Sequence, residues 1–241
     1  MLITLKSGNA TVKVSPVGAA VERYTICKED IFYRQRTVKD VIVGGSFPCA
    51  PFLPRPIRDF SPKVDWLQDE PMKLMRRTSN KVSFQVLNKK TPTFPWVLQY
   101  DVDVELVSQG CLTTKLTMKR IYDYEKTLAP INPCFFPYFP SLGKDYSVEI
   151  GGNKYAHFSN IPLEVPFKNN ALIKTAKQTI LMFTAGDFTA DSRYCLWTNS
   201  AEYFCVKPKM TPLNSYADTK RGKFLDKGES VTMECYFCPL P

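Results

Sequence analysis

No apolar stretch in this chain approaches the ~18 residues that would suggest a membrane-spanning helix, although 44% of its 241 residues are hydrophobic. A soluble globular protein is the expectation. No secretory leader is expected either. Met1-Leu2-Ile3-Thr4-Leu5-Lys6 alternates like a strand and lacks the basic start, long apolar stretch and small-residue cleavage site of a signal peptide. The expected location is the cytoplasm, or an organelle interior if a transit segment was removed.

Runs of Lys or Arg are also missing, and neither zinc-finger spacing nor an aromatic–basic sheet signature accompanies the net charge of +9. Nucleic acid is therefore not the expected partner. The excess of 32 basic over 23 acidic residues suits an anionic ligand or an acidic protein partner. Cys27, Cys49, Cys111, Cys134, Cys195, Cys205, Cys235 and Cys238 are scattered through a chain too large to need stapling, and are expected to be reduced and mostly buried. Cys235 and Cys238 form the single Cys-x-x-Cys. Val231, Met233, Cys235 and Phe237 alternate as a strand, which turns Cys238 to the opposite face, and a second cysteine pair is lacking. No metal or cofactor is expected.

Helical periodicity is scarce. The chain holds 19 prolines, and few long windows free of Pro and Gly repeat apolar residues every 3.6 positions. The period of two is plain. Leu98, Tyr100, Val102, Val104 and Leu106 alternate with Gln99, Asp101, Asp103 and Glu105; Leu112, Thr114, Leu116 and Met118 alternate with Thr113, Lys115, Thr117 and Lys119. Ser108-Gln109-Gly110 is the turn between them, and symmetry about Gln109 sets Asp103 opposite Lys115. Further strands are expected over 10–14, 20–27, 81–87, 146–150, 178–183, 194–198, 203–206 and 230–237, punctuated by Gly44-Gly45, Pro48–Pro62, Pro92–Pro95 and Pro130–Pro140. Without a composition shift or an internal repeat, residues 1–241 read as one all-β domain, an antiparallel β-sandwich of two large sheets. The proline run Pro48–Pro62 carries Arg55 and Arg58 and is either a rigid crossover or a rim that turns both arginines to a ligand.

Six segments in order carry a resemblance. They are Val14-Ser15-Pro16-Val17-Gly18-Ala19, Gly44-Gly45-Ser46-Phe47-Pro48-Cys49-Ala50-Pro51, Phe136-Pro137-Tyr138-Phe139, Leu196-Trp197-Thr198-Asn199, Phe204 to Asn214 with Cys205-Val206-Lys207-Pro208, and Leu225-Asp226-Lys227-Gly228-Glu229-Ser230. Together these resemble the aldose 1-epimerase (galactose mutarotase-like) family over nearly the whole chain. The resemblance implies a galactose mutarotase-like β-sandwich with few short helices and a sugar cleft on the concave face of one sheet. Phe136 stands where that family has its catalytic His, and Lys207 where it has its catalytic Glu. The family's His-Gly-x-x-Arg element falls at about Val64-Asp65-Trp66-Leu67-Gln68, again with neither residue.

Interconverting sugar anomers needs an acid at the ring oxygen and a base at the anomeric hydroxyl. Phe136 has no proton to give, and a lysine is normally a cation rather than an acceptor. His157 lies outside every segment of the resemblance and reads as a surface or hydrogen-bonded residue. Tyr138 is either packing or a sugar contact. Lys207 and Lys209 are expected at the cleft mouth, holding an anionic sugar or forming ordinary surface. The leading expectation is a catalytically inactive, carbohydrate-binding protein that contacts its ligand through Arg55, Arg58, Tyr138, Trp197, Asn199, Lys207 and Lys209. Two others stand beside it: a structural subunit of a larger complex, as in photosynthetic complex-I-type assemblies, and a divergent aldose or hexose-6-phosphate 1-epimerase.

Overall fold

A computed structural model describes residues 1–38, 41–51, 66–92, 94–122, 124–141, 143, 145–212 and 222–240. In chain order its strands begin with β1 (Ile3–Ser7), β2 (Ala10–Val14), β3 (Val21–Ile26), β4 (Glu29–Asp30), β5 (Arg36–Val38), β6 (Val41–Val43) and β7 (Ser46–Cys49). There follow β8 (Lys73–Arg77), β9 (Lys81–Leu87), β10 (Leu98–Leu106), β11 (Leu112–Arg120), β12 (Ala129–Ile131), β13 (Cys134–Pro140), β14 (Ser147–Ile150) and β15 (Asn153–Tyr155). The last are β16 (Leu163–Pro166), β17 (Asn170–Lys174), β18 (Thr179–Gly186), β19 (Arg193–Trp197), β20 (Tyr203–Lys209), β21 (Lys223–Leu225) and β22 (Ser230–Pro239). Helix among the described residues is limited to two 3-10 turns, Trp66–Asp69 and Ser108–Gly110.

Two nine-stranded antiparallel sheets carry the architecture. The first runs β1-β2-β3-β7-β13-β20-β19-β16, with β4 added on β3; the second runs β15-β14-β17-β18-β22-β11-β10-β9-β8. Side chains alternate across each strand, so every second residue enters the core between the sheets. On β10 and β11 the odd-and-even pattern is complete: Leu98, Tyr100, Val102, Val104, Leu112, Leu116 and Met118 are all buried. Asp103 faces Lys115 as the hairpin symmetry requires. The charges nevertheless pair outward across four strands, Lys115 of β11 with Glu234 of β22 at 2.8 Å and Lys81 of β9 with Asp103 at 3.6 Å and Glu105 at 3.1 Å on β10.

Two expectations need correction. Pro130–Pro140 is not simple punctuation, because β12 and β13 run through it; β13 is a central strand whose ladder to β20 is kept at Cys134 and from Tyr138 onward, with Pro137 and Pro208 in the interval. The cysteines are not all reduced. Cys111 and Cys238 form a disulfide next to the Leu112–Phe237 pair, while Cys235 stays in the core, as the strand alternation placed it. Cys27, Cys49, Cys134, Cys195, Cys205 and Cys235 form no disulfide.

Two details fix the ends of the sheets. Gly45, between the β5–β6 ribbon and β7, has φ +70, and a Cβ there would lie 2.2 Å from the Val21 carbonyl oxygen, so only glycine fits. Arg120, at the end of β11, is fully buried and donates to the carbonyls of Glu125 (2.8 Å), Thr127 (2.7 Å) and Leu225 (3.2 Å), fastening the following loop from beneath.

Candidate functional site

The first sheet has a second apolar face, turned away from the inter-sheet core. On β13, Phe135 and Phe139 enter the core, while Cys134 and Tyr138 join a separate cluster with Phe47, Cys49, Tyr203 and Cys205, against which Phe136, Tyr33 and Trp197 pack. A period of two is the whole cause: β7, β13, β20 and β19 lie side by side, so residues in register form rows across the face. One row is Cys49, Cys134 and Lys209; the next is Phe47, Phe136, Lys207, Cys195 and Glu164; the third is Tyr138, Cys205 and Trp197.

Phe136 and Lys207 therefore meet at the centre of the face. The Lys207 ammonium lies 3.6 Å from the Phe136 ring centroid and 4.7 Å from that of Trp197. Phe47 stacks on the far side of Phe136, with centroids 5.4 Å apart and planes 10° from parallel. Such a cation held over two π-faces is stabilised by the ring quadrupoles. No carboxylate among the described residues pairs with Lys207. Phe47, Tyr138 and Tyr203 are only 3–4% exposed, so what this part of the face shows to solvent is Phe136, Trp197 and the lysine between them.

Lys209 is not a cation at the mouth. It is 1% exposed and its Nζ lies 2.9 Å from Oε1 of Glu164, on β16 two strands away. Burial dictates this: an ammonium removed from water must take a carboxylate with it. Burial also pushes the Cys195 thiol up, against the pull of Lys207 and Lys209, and pushes Cys205 up strongly; a hydrogen bond joins Cys205 to Tyr138. These thiols are packing groups rather than ready nucleophiles.

At the rim, Tyr33 donates to Glu202 at 2.6 Å and Arg36 pairs with the same carboxylate oxygen. The Tyr33 hydrogen bond, with Arg36 behind it, holds the Glu202 carboxyl below the usual range, while burial and then Glu202 push the Tyr33 phenol up to about 12. Tyr203 donates to Asn199, and the Trp197 indole donates to the Asn160 carbonyl at 3.1 Å.

Of the residues expected to touch a ligand, Trp197 and Lys207 converge, Asn199 stands exposed at the rim, and Tyr138 lies beneath as packing. Arg55, Arg58, Val64 and Asp65 lie outside the described residues. Trp66 and Leu67 of that segment pack into the inter-sheet core, Trp66 against Tyr100 at 5.3 Å. His157 is exposed and lines a separate open cavity with Asp145, Tyr146, Lys154 and Lys174. Sequence reasoning missed Glu164, Tyr33 and Glu202, which come from short or irregular segments with no alternation to expose them.

Comparison with solved structures shows which fold this is. The chain matches a galactose mutarotase-like protein from Lactobacillus casei with a TM-score of 0.82 at 12% identity, covering 100% of both chains. It matches a galactose mutarotase related enzyme from Lactobacillus acidophilus with a TM-score of 0.80 at 10% identity, covering 100% of this chain and 98% of that one. A galactose 1-epimerase from Lactobacillus acidophilus aligns with a TM-score of 0.66 at 11% identity, covering 99% and 94%. No family model matches the sequence, and a comparison with curated proteins finds no match. The fold is galactose mutarotase-like.

Proposed function

We propose that the outer face of the first sheet binds a carbohydrate with an anionic substituent and does not interconvert its anomers. The carrying observation is the Lys207 ammonium seated 3.6 Å over the Phe136 ring at the centre of the face. An epimerase needs a proton donor and an acceptor facing one another across the anomeric carbon. Here an aromatic ring and a cation occupy the two adjoining positions, the chain's one histidine stands elsewhere, and the nearby Glu164 is committed to Lys209. What the group offers a ligand is different: aromatic surface for the apolar face of a sugar ring, from Phe136 and Trp197, and one ammonium for a phosphate, sulfate or carboxylate.

Two measurements test this. Titration calorimetry should detect glucose 6-phosphate or a uronic acid and not glucose or galactose, with Lys207→Met weakening binding about tenfold or more, as loss of a charge-assisted contact does. Anomer exchange followed by NMR should stay at the uncatalysed rate for the same sugars. Exchange well above background would overturn the non-catalytic reading, and equal binding by Lys207→Met would overturn the assigned ligand contact. Phe136→His combined with Lys207→Glu is expected to leave exchange at background, because the 64–68 segment lacks its His and Arg as well.

A further inference from the structure

At the far side of the molecule β8 ends the second sheet, and its sequence Lys73-Leu74-Met75-Arg76-Arg77 is exposed at every position. Leu74 is 45% and Met75 51% exposed. The register sets Lys73 and Arg76 opposite Gln85 and Ser83 of the wet face, and Leu74 and Arg77 opposite Phe84 and Val82 of the core face. Among the described residues no backbone hydrogen bond reaches the outer side of residues 73–77. The chain is tied on either side of them, by Met72 N–H donating to the Pro16 carbonyl at 2.8 Å and Lys6 N–H to the Ser79 carbonyl at 2.9 Å. Lys73, Arg76 and Arg77 make no ion pair with any described residue. An anchored strand with an open row of donors and acceptors is a template for another strand.

Charge decides what that strand is. A second copy of β8 would bring three cations against three, and like charges directly opposite are destabilising. Among the described residues no edge of this chain has free acids to complement it: the acidic edge strand β4 is two residues long, with Glu29 paired to Lys177 and Asp30 to Arg23; β15 at the other end of the same sheet carries Lys154; and the edge strand β16 has its Glu164 paired with Lys209 and ends in Pro166. We propose that β8 is a docking edge for an extended acidic segment of another protein, which adds to the sheet as a further strand and sets its carboxylates against Lys73 and Arg76 on the wet face, with Arg77 adding to the positive field of the edge. This assignment is independent of the sugar-binding reading, since β8 belongs to the other sheet.

The test is fluorescence anisotropy with the full chain and a labelled eight-residue peptide of alternating Glu and Val. Binding should weaken about tenfold or more in the Lys73→Glu/Arg76→Glu/Arg77→Glu variant. It should weaken comparably when alternate peptide amides are N-methylated, which removes strand hydrogen bonds and keeps the charge. The triple variant should keep its melting temperature, since all three side chains are exposed, and should bind a Lys/Val peptide instead. Failure of the Glu/Val peptide to bind, indifference to N-methylation, equal binding by the triple variant, or equal binding of a DNA oligonucleotide of matching charge would each overturn the proposal.

Discussion

Breaking the Cys111–Cys238 bond should be among the most destabilising small changes open to this protein. The two residues are 127 apart in sequence, yet their Cα atoms are 4.4 Å apart across β11 and β22. In the chain-entropy account a cross-link stabilises by shrinking the unfolded ensemble, and a closed loop of this length corresponds to about 5 kcal/mol at 25 °C. For a chain of this size each kcal/mol moves the melting temperature by about 2–4 °C, so reduction should lower it by about 10–20 °C. The assay is a thermal melt with and without a phosphine reductant, alongside alkylation of the denatured protein to count thiols. Six thiols should react before reduction and eight after. Cys238→Ser should match the reduced protein and show no further response to reductant. Eight reactive thiols in untreated protein, or a melting temperature changed by less than about 2 °C once two thiols are released, would refute the reasoning.

Arg120→Met should cost about 2–4 kcal/mol, because one buried and two part-buried carbonyls lose a charged donor that an apolar chain cannot replace; denaturant unfolding measures it, and a loss under about 1 kcal/mol would show that water takes over these carbonyls instead. The rim carboxylate gives a pH signature. Tyr33 and Arg36 depress the Glu202 pKa in the folded state, so its contribution is present above the ordinary glutamate range and is lost as pH falls through the lower folded value. The melting-temperature difference between the wild-type chain and Glu202→Gln should therefore be positive at neutral pH, begin to fall below pH 4.5, vanish once the pH lies below the lower folded value, and shrink in high salt because the pair is exposed. A difference independent of pH would count against the assignment.

Legibility in the sequence followed wetting. β10 and β11 could be bounded from the alternation alone because one face of each is dry and the other carries Asp, Glu, Lys and Thr in contact with water. β7 and β13 could not. Ser46–Cys49 is buried throughout and Cys134–Pro140 nearly so, since the first sheet covers both of its faces with apolar groups; a strand dry on both sides has no period to read, and its prolines suggested a break. The site divides the same way. The Phe136 and Lys207 pairing was implied by two short motifs, and register turned it into contact. The union of Lys209 with Glu164 required knowing that β16 lies beside β19, which nothing local to either residue records.

Lys207 and Lys209 are two residues apart on one strand and face the same side, yet meet opposite fates. The difference lies in what the neighbouring strands place beside them. Lys209 sits in the row of Cys49 and Cys134, with Arg193 opposite it on β19, and its ammonium crosses to Glu164 and is withdrawn from solvent. Lys207 sits one row on, between Phe136 and Trp197, whose rings hold a cation without neutralising it. An ion pair satisfies both partners and leaves little for a ligand; a cation over aromatic rings keeps its full charge and its remaining N–H donors. The same pair of lysines therefore contributes a structural clamp and a cation that no carboxylate among the described residues neutralises. If an anionic ligand is recognised on this face, Lys207→Met should lose it while leaving the Glu164 clamp in place, whereas Lys209→Met should damage stability first.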